Sequence, residues 1–435
     1  MQRDAPNIVL VIVHDLGRHL GCYGVETVSS PECDALAADG ILFEDSFTVA
    51  PQCSPSRAAL FTGRYPHQNG MFGLAHDPHG WDIHDSERHL ASHLSESGYS
   101  TALIGFQHET NRPEEMGFLE CDYRWHDSCE NISRDAASYI SSRAAGDSPY
   151  YLQVGLIEPH RHFDMYGGRP DKSRGVWVPP YLADEPSAKE DFAAFQGAIS
   201  KMDASVGVIR RAVDESADAE NTLIVFTTDH GIPFPRAKCS LYDPGLETAL
   251  IARWPEGGWT GSKRIEGMVA NLDLFPTILE IAGVDPSGLP GDAKPEGVSF
   301  AHLSPRRQIL FGEKTYHDYY DPMRCVRTPR FKLIANFSTA PFIQDPSQAW
   351  RPLTTPLSAG GTHPDFELYD LESDPHELDN CHDVTDYQVE FQELKSTLAR
   401  WMASSDDALL TGAPLNPQHR RVRSALLKAL RPEDP

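Results

Sequence analysis

Positive charge is scarce in this chain of 435 residues. Its 63 acidic residues outnumber 38 lysines and arginines, which gives a formal net charge of −25. Lysine is especially rare, with ten copies against 28 arginines and none before Lys172. A protein this acidic repels polyanions, so we expect neither nucleic acid nor an anionic membrane as a partner. A small anionic substrate would need a pocket with local positive charge.

Long apolar runs and closely paired cysteines are also missing. The apolar run at residues 7–13, NIVLVIV, is seven residues long, well short of the roughly 20 that a membrane-spanning helix needs. It follows only six residues, so we interpret it as a buried strand rather than a signal peptide and expect a cytoplasmic protein. The eight cysteines contain no CxxC pair, which predicts reduced thiols rather than a disulfide scaffold.

What the chain does contain is an alternation of apolar strands and helical patterns. Apolar, β-branched runs recur at residues 7–13, 101–105, 150–156, 222–228 and 248–253. Helical patterns lie between them, around residues 87–97, 131–143 and 188–215. This alternation predicts a doubly wound α/β sheet, mostly parallel and flanked by helices, which binds ligands at the carboxyl ends of its strands.

The last third of the chain predicts a smaller unit. Glycine and proline are frequent over residues 284–305, which is typical of a connector. We therefore predict a catalytic α/β domain over residues 1–305 and a smaller α+β subdomain over residues 306–435. The predicted elements of the subdomain are strands near 308–313 and 331–336, a proline-rich loop over 340–365, a helix over 385–403 and a polar tail.

Polar residues follow four of the predicted strands where each strand ends. They are His14-Asp15, His108, Glu158-Pro159-His160 and Asp229-His230, in chain order. Because the carboxyl ends of parallel strands meet at one edge of a sheet, we expect these side chains to lie together. Carboxylates and imidazoles are ligands for divalent metal ions. Asp15 and Asp229 are therefore candidate ligands, unless each caps a helix, and His14 and His230 stand beside them.

The run Cys53-Ser54-Pro55-Ser56-Arg57 is the most informative motif. Ser54 is suited to cap a helix and Pro55 to occupy its first turn. Residue 53 would then lie at the positive end of that helix, where an alkoxide and a bound sulfate or phosphoryl group are stabilised. Arg57 lies one turn on and is placed to reach the same point.

Cys-x-Pro-Ser-Arg resembles the site of formylglycine formation in the sulfatase family of the alkaline phosphatase superfamily. The segments LFTGRYPHQNGMFGL, TDHGIPFP, LDLFPTIL and ELYDLESDPHELDN also resemble that family, and the pattern is most similar to its heparan N-sulfatases, or sulfamidases. The resemblance implies an alkaline phosphatase-like fold and the conversion of Cys53 by a formylglycine-generating enzyme. One hydroxyl of the hydrated aldehyde would attack sulfur, and the other would then expel the anion.

The resemblance also implies one divalent metal ion. Asp15 matches the second aspartate of the family's opening pair, and Asp229-His230 matches the closing pair. The resemblance implies that the residue derived from Cys53 is a metal ligand as well. His14 departs from the family, because it stands where the first aspartate is expected. The usual family metal is Ca²⁺, but two imidazoles would favour Mn²⁺ or Zn²⁺ more than usual.

Acid–base and anion-binding roles follow from the same resemblance. His108 matches the histidine that acts on the formylglycine hydroxyl. His160 matches the histidine that protonates the leaving group, with Lys238 beside it as an anion-binding residue. A second departure is Phe106, which stands where the family has a lysine. The arginines Arg57, Arg112 and Arg161 are candidates to replace that lysine.

We therefore expect a formylglycine-dependent, metal-assisted hydrolase of sulfate esters or sulfamates, acting on a sulfated saccharide or similar anion. The altered metal pair and the missing lysine leave a phosphonate monoester or phosphodiester hydrolase as an alternative. A non-catalytic protein that binds sulfated glycans is a third possibility. The candidate substrate contacts in loops are Arg161, His162, His317 and Arg324.

Overall fold

The computed structural model describes residues 5–144, 148–289, 294–305, 307–339 and 361–429. The strands are β1 (Asn7–Val13), β2 (Ile41–Phe43), β3 (Ser46–Phe47), β4 (Ser100–Gly105), β5 (Glu120–Tyr123), β6 (Tyr150–Gly155), β7 (Thr222–Thr228), β8 (Leu250–Arg253), β9 (Lys263–Ile265), β10 (Val269–Ala270), β11 (Leu310–Tyr316), β12 (Tyr320–Arg327), β13 (Phe331–Asn336) and β14 (Phe366–Asp370). The α-helices are α1 (Pro31–Asp39), α2 (Cys53–Thr62), α3 (Pro66–Asn69), α4 (Leu90–Glu96), α5 (Cys129–Ser141), α6 (Pro186–Asp214), α7 (Asp243–Leu246), α8 (Leu274–Ile281), α9 (Gln388–Ser404) and α10 (Pro417–Ala429). None of these helices is both long enough and apolar enough to span a membrane.

The main sheet has eight strands in the order β5-β4-β6-β1-β7-β8-β2-β9. Seven of them run parallel, and β8 is antiparallel to both of its neighbours. The chain between β7 and β8 stays at the carboxyl edge of the sheet instead of crossing back through a long helix, so β8 returns in the opposite direction. The predicted mostly parallel α/β sheet is confirmed, with this one reversed strand.

Helices cover both faces of the sheet, as a doubly wound fold requires. In β1, Val9, Val11 and Val13 pack with α1, α5 and α6 on one face. The alternate residues Ile8 and Leu10 pack with α2, α4 and α8 on the other face. Burying each such side chain stabilises the fold by about 1.5–3 kcal/mol. The all-apolar sequence of β1 therefore reflects a strand that is buried on both sides.

A second sheet near the C-terminus has the antiparallel order β11-β12-β13-β14. Helix α9 covers one face of this sheet through Leu394 and Leu398. The other face packs against the segment that follows β7, where Met323 and Ile334 share a core with Leu241. A smaller α+β unit is thus confirmed, while its boundary at residue 305 stays a prediction.

Two details of the C-terminal prediction can be compared with the structure. The predicted polar tail contains helix α10, whose described side chains are exposed or nearly so. Most of the predicted proline-rich loop, residues 340–360, lies outside the described residues.

Candidate active site

The polar residues predicted to meet at one edge of the sheet do meet there. β1 and β7 pair in parallel over all seven residues of each strand. The segments 14–15 and 229–230, which directly follow these strands, therefore emerge side by side. Strands β6 and β4 lie on the other side of β1 and run in the same direction. They bring His160 and His108 to the same edge of the sheet.

The five predicted metal ligands His14, Asp15, Cys53, Asp229 and His230 form one buried cluster. One potential ligand atom from each lies within 4.8 Å of all the others. The His14 Nδ1 atom is 2.9 Å from Asp15 Oδ1 and 3.0 Å from Asp229 Oδ2. The His230 Nε2 atom is 3.2 Å from Asp15 Oδ1 and 3.4 Å from the Cys53 sulfur. Two carboxylates and two imidazoles directed at one point are a donor set that fits a divalent cation.

Helix α2 places residue 53 in this cluster, although not by the predicted cap. The helix begins at Cys53, and its N-cap is Gln52, which makes no side-chain capping bond. The prediction that Ser54 caps the helix was wrong, because Ser54 Oγ instead accepts a hydrogen bond of 3.0 Å from the Ala75 amide. The N-cap therefore lies two residues earlier than predicted. Residue 53 still lies at the N-terminal, positive end of α2.

Two buried cations pair with the two carboxylates. Lys238 Nζ lies 3.0 and 2.8 Å from the oxygens of Asp15, and Arg57 Nε lies 3.1 Å from Asp229 Oδ2. Burial opposes the charge on each acid, but Lys238 holds the pKa of Asp15 well below its usual range. Against the same effect of burial, His14, His230 and Arg57 keep the pKa of Asp229 low. Both carboxylates are therefore ionised at neutral pH.

Histidines 108 and 160 are both held neutral. Burial is the main cause that lowers the pKa of His108 well below its usual range, and its Nε2 lies 2.7 Å from Nδ1 of His76. Burial lowers the pKa of His160 to about 3, although Asp15 opposes that shift. The His160 Nδ1 bonds the Arg161 carbonyl, while Nε2 lies 3.3 Å from Lys238 Nζ. His160 Nε2 is thus an acceptor for the lysine ammonium.

A cavity of about 330 Å³ opens onto this cluster. It is lined by His14, Cys53, Leu74, His76, Phe106, His108, Trp125, His126, Ile157, His160, Arg161, His162, Met165, Lys238, His317 and Asp318. The predicted contacts Arg161, His162 and His317 thus line the cavity. Arg161 is held there by a bidentate pair with Asp191, with N–O distances of 2.7 and 2.6 Å. Lys238, Arg161 and the histidines give the cavity the polar groups that an anionic substrate needs.

The two departures from the family pattern are in direct contact. The rings of His14 and Phe106 have centroids 5.0 Å apart. The Arg57 guanidinium lies over the Phe106 ring, 5.1 Å from the ring centroid. Phe106 therefore occupies space beside the cluster of candidate metal ligands, where a lysine would bring a positive charge.

Two of the predicted arginine roles were wrong. Arg112 does not replace the missing lysine, because it pairs with Asp82 and Asp85 at a different surface. Arg324 is fully buried in the C-terminal unit and does not line the cavity. It binds Asp407 through Nε at 2.6 Å and lies 3.3 Å from Glu313. The sequence alone does not reveal whether an arginine binds a substrate or a buried carboxylate of the protein.

The role of Arg324 can be tested by its replacement. We expect Arg324→Met to lower the free energy of unfolding by about 3–5 kcal/mol, because Asp407 and Glu313 are left buried without their cation. The KM for substrate should stay unchanged. Denaturant unfolding and initial rates would measure both quantities. The matched control Arg330→Met removes an exposed arginine paired with Asp370 and should have little effect on either. A raised KM in Arg324→Met would contradict the structural role.

Comparison with known proteins agrees with this geometry. Residues 6–284 match the family model described as Sulfatase, and residues 234–344 match the model described as N-sulphoglucosamine sulphohydrolase, C-terminal. The chain belongs to the sulfatase family. This sulfatase is 30% identical to human N-sulphoglucosamine sulphohydrolase over 456 residues, which cover 92% of the chain and 90% of the human protein. It is 28% identical to an ulvan-active sulfatase of Formosa agariphila, covering 95% of the chain and 83% of that protein.

Solved structures agree on the fold. A 2-O GAG sulfatase superposes with a TM-score of 0.72 at 20% identity, covering 96% of each chain. A protein crystallised with its substrate D-glucosamine-2-N,6-O-disulfate gives a TM-score of 0.69 at 18% identity, covering 93% of this chain and 99% of that one. The fold is therefore that of sulfatases, and the family membership makes this chain a hydrolase of sulfuric esters or sulfamates. The phosphodiesterase and non-catalytic alternatives are not favoured.

Several residues that line the catalytic cavity were not predicted. They are Leu74, His76, Trp125, His126, Ile157, Met165 and Asp318. Most of them lie in loops far in sequence from the Cys53 motif. Histidines are frequent over residues 76–93, which could have indicated that one of them lines the site. The sequence gave no reason to choose His76 over the other histidines of this run.

Proposed function

We propose that this sulfatase removes the sulfate from the nitrogen of a glucosamine unit in a sulfated saccharide. The observation that carries the proposal is the convergence of two carboxylates, two imidazoles and residue 53 at the positive end of α2. The human N-sulphoglucosamine sulphohydrolase and the matching C-terminal family model support an N-linked sulfate. The ulvan-active relative supports a second candidate, a sulfate ester.

We place a formylglycine at position 53. Once hydrated, this residue supplies two hydroxyl groups, one to attack sulfur and one to release the sulfate. The unmodified thiol is poorly suited to that role, because burial raises the pKa of Cys53 well above its usual range. Cys53 is 3% exposed in the folded chain, so a formylglycine-generating enzyme would have to act before α2 is packed.

One divalent metal ion completes the proposed site. His14, Asp15, Asp229, His230 and the oxygen of the modified residue 53 would hold it. The charges of Asp15 and Asp229 are balanced by two cations, Lys238 and Arg57. With the ion bound, the net charge of the site would therefore be positive. A positive site favours a bound sulfate group and the negative charge that develops on it.

The remaining side chains are placed for proton transfer. His108 is neutral, so it is able to accept a proton from a hydroxyl at position 53. The ammonium of Lys238 holds a proton beside His160, because Asp15 raises the pKa of Lys238 against the opposing effect of burial. We assign protonation of the leaving nitrogen or oxygen to this Lys238–His160 pair. The released amine or alcohol then leaves through the cavity that Arg161 and His162 line.

A single substrate with both linkages tests the proposal. D-Glucosamine-2-N,6-O-disulfate carries an N-sulfate and an O-sulfate on one ring, so NMR of the product identifies the bond that breaks. We expect the N-sulfate to be released at least about tenfold faster than the 6-O-sulfate. Faster loss of the 6-O-sulfate would favour the ester candidate instead. A higher kcat/KM for bis(p-nitrophenyl) phosphate than for either sulfate would overturn both candidates.

The identity of the metal depends on His14. An imidazole in place of a carboxylate makes the donor set softer and less negative, so we expect Mn²⁺ or Zn²⁺ to bind more tightly than Ca²⁺. His14→Asp should reverse this order and raise Ca²⁺ affinity at least about tenfold. Calorimetric titration of the metal-free protein with each ion measures the affinities directly, without an activity assay.

A control and a second substitution sharpen this test. His126→Asp adds the same carboxylate to the cavity wall outside the ligand cluster and should leave the order of metal affinities unchanged. Because Phe106 packs on His14, the change His14→Asp should be tolerated better together with Phe106→Lys. Two single variants that are each as stable and active as the unmodified sulfatase would show that the two positions are not coupled.

A further inference from the structure

The sulfatase has a second cavity of about 350 Å³, similar in size to the catalytic one. Its walls come from the segment after β1, the segment before α6, the segment after β7, helix α7 and the turn after β14. It thus lies at the carboxyl edge of the same sheet, where doubly wound folds bind ligands. None of the residues assigned above to catalysis or to the metal lines it.

A thin wall separates the two cavities. Ile232 lines the second cavity, and its neighbour Pro233 accepts a hydrogen bond of 3.1 Å from Nε of Arg161. Arg161 in turn lines the catalytic cavity. On the same side, the Gly17 amide donates to the His230 carbonyl at 3.0 Å. The second cavity therefore lies next to the cluster of candidate metal ligands.

Aromatic rings form one side of the second cavity. Trp177 is 43% exposed, an unusual state for so large an apolar ring. Its indole stacks on the buried ring of His19, with centroids 5.8 Å apart and an interplanar angle of 29°. The rings of Tyr23 and Tyr181 add further aromatic surface. An exposed indole held in place by a buried ring offers a flat face to the C–H groups of a sugar.

Buried polar atoms without partners lie beside these rings. Within the described parts of the chain, His19 Nε2 and Arg18 Nε are both buried and make no hydrogen bond. Burial lowers the pKa of His19 to about 3, so its imidazole is neutral. A neutral imidazole and a guanidinium together are able to accept from and donate to hydroxyl groups. These two atoms are enclosed by protein, so a sugar hydroxyl would contact the side chains through their other polar atoms. The Arg18 side chain is 19% exposed and offers such atoms.

The charges around the second cavity are balanced within the protein. Arg18 pairs with Glu247 at 3.2 Å, and Asp243 pairs with Arg327 and Lys332 at 2.8 and 2.5 Å. Lys238 and Arg161 both line the catalytic cavity, whereas Arg18 is the only lysine or arginine among the described residues that line the second cavity. Its chemistry fits the uncharged part of a saccharide.

We propose that the cavity between Trp177, His19 and Arg18 is a second saccharide subsite, which binds a pyranose ring through stacking on Trp177 and hydroxyl contacts to His19 and Arg18. This inference rests on the proposed function for the saccharide nature of the substrate. Sugar units outside the reacting one would then contribute to the affinity of this sulfatase for longer substrates.

The first test measures binding alone, so its result does not depend on turnover. Unsulfated N,N′-diacetylchitobiose is added to the full-length sulfatase, and saturation-transfer NMR detects contact with the sugar. We expect binding that Trp177→Ala weakens at least about tenfold and that the control Phe337→Ala leaves unchanged, since this 40% exposed ring lies outside both cavities. Absence of binding to the unmodified protein, equal binding to Trp177→Ala, or an equal loss in Phe337→Ala would each overturn the subsite.

The second test separates this inference from the proposed function. We expect Trp177→Ala to raise KM for an N-sulfated tetrasaccharide about tenfold, with kcat and the KM for N-sulfoglucosamine unchanged. Because Trp177 is partly exposed, the variant should fold, and circular dichroism would verify this. His19→Leu, which removes the polar atoms but keeps the packing, should act in the same direction. If KM for the tetrasaccharide is the same in both variants and in the unmodified protein, the subsite proposal is overturned. If the unmodified protein is inactive on all sulfated sugars, the proposed function alone is overturned.

Discussion

Cys53→Ala is expected to abolish hydrolysis, with kcat at least about a thousandfold lower on every substrate that the unmodified sulfatase accepts. Alanine cannot be converted to formylglycine, so the proposed nucleophile is lost while the metal ligands on β1 and β7 stay in place. Initial rates with D-glucosamine-2-N,6-O-disulfate measure the effect. The fold should persist, because Cys53 contributes one small side chain to a site built from four strand ends.

The matched control is Cys33→Ala, which removes a thiol of the same size from the core of the large domain. Its kcat should equal that of the unmodified protein. Mass spectrometry of the peptide with residue 53 gives an independent measurement, since conversion of cysteine to formylglycine lowers its mass by about 18 Da. Full activity in a protein whose Cys53 is unconverted would refute the formylglycine mechanism.

The predicted metal ligands come together because strand ends are a local property of a sequence. An apolar run such as residues 7–13 shows where a buried strand stops, and the polar residue after it must lie at the carboxyl edge of the sheet. That geometry does not depend on loop conformation. The ligands that follow β1 and β7 were therefore predictable without knowledge of the strand order in the sheet. The structure brings them together with the residue at the start of α2.

Loop and interior partners were not predictable in the same way. The hydrogen bond between His76 and His108 joins two residues 32 positions apart through an irregular segment. Arg324 was a candidate substrate contact in the sequence, yet its carboxylate partner Asp407 is 83 positions away. The starting residue of α2 also depended on a tertiary bond, that from the Ala75 amide to Ser54, which competes with capping.

The contact between His14 and Phe106 joins two departures that the sequence shows only separately. Lysine is absent before Lys172, so no nearby lysine could restore the missing cation. In the structure, Arg57 lies over the Phe106 ring and pairs with Asp229. A lysine at position 106 would add a third positive charge near Arg57 and Lys238. With histidine instead of aspartate at position 14, no carboxylate there would balance that charge. The loss of one cation and one anion thus keeps the local charge constant.

Asp229→Asn is expected to produce the second large effect, on stability as well as on activity. The change leaves the Arg57 guanidinium fully buried without its counter-charge, which should lower the free energy of unfolding by about 3–5 kcal/mol. The amide oxygen still accepts the Asp15 and His230 amides, so the backbone should keep its conformation. Activity should fall at least about a hundredfold, because one anionic metal ligand is lost.

A double-mutant cycle with Arg57→Met separates these two effects. Urea unfolding in the presence of EDTA removes the contribution of metal binding to stability. Under that condition, Asp229→Asn with Arg57→Met should be more stable than Asp229→Asn alone, because the uncompensated charge has been removed. Activity should not recover, since the metal ligand is still missing. If the two destabilisations simply add, Arg57 is not held by Asp229, and its place in the site must be explained by the substrate instead.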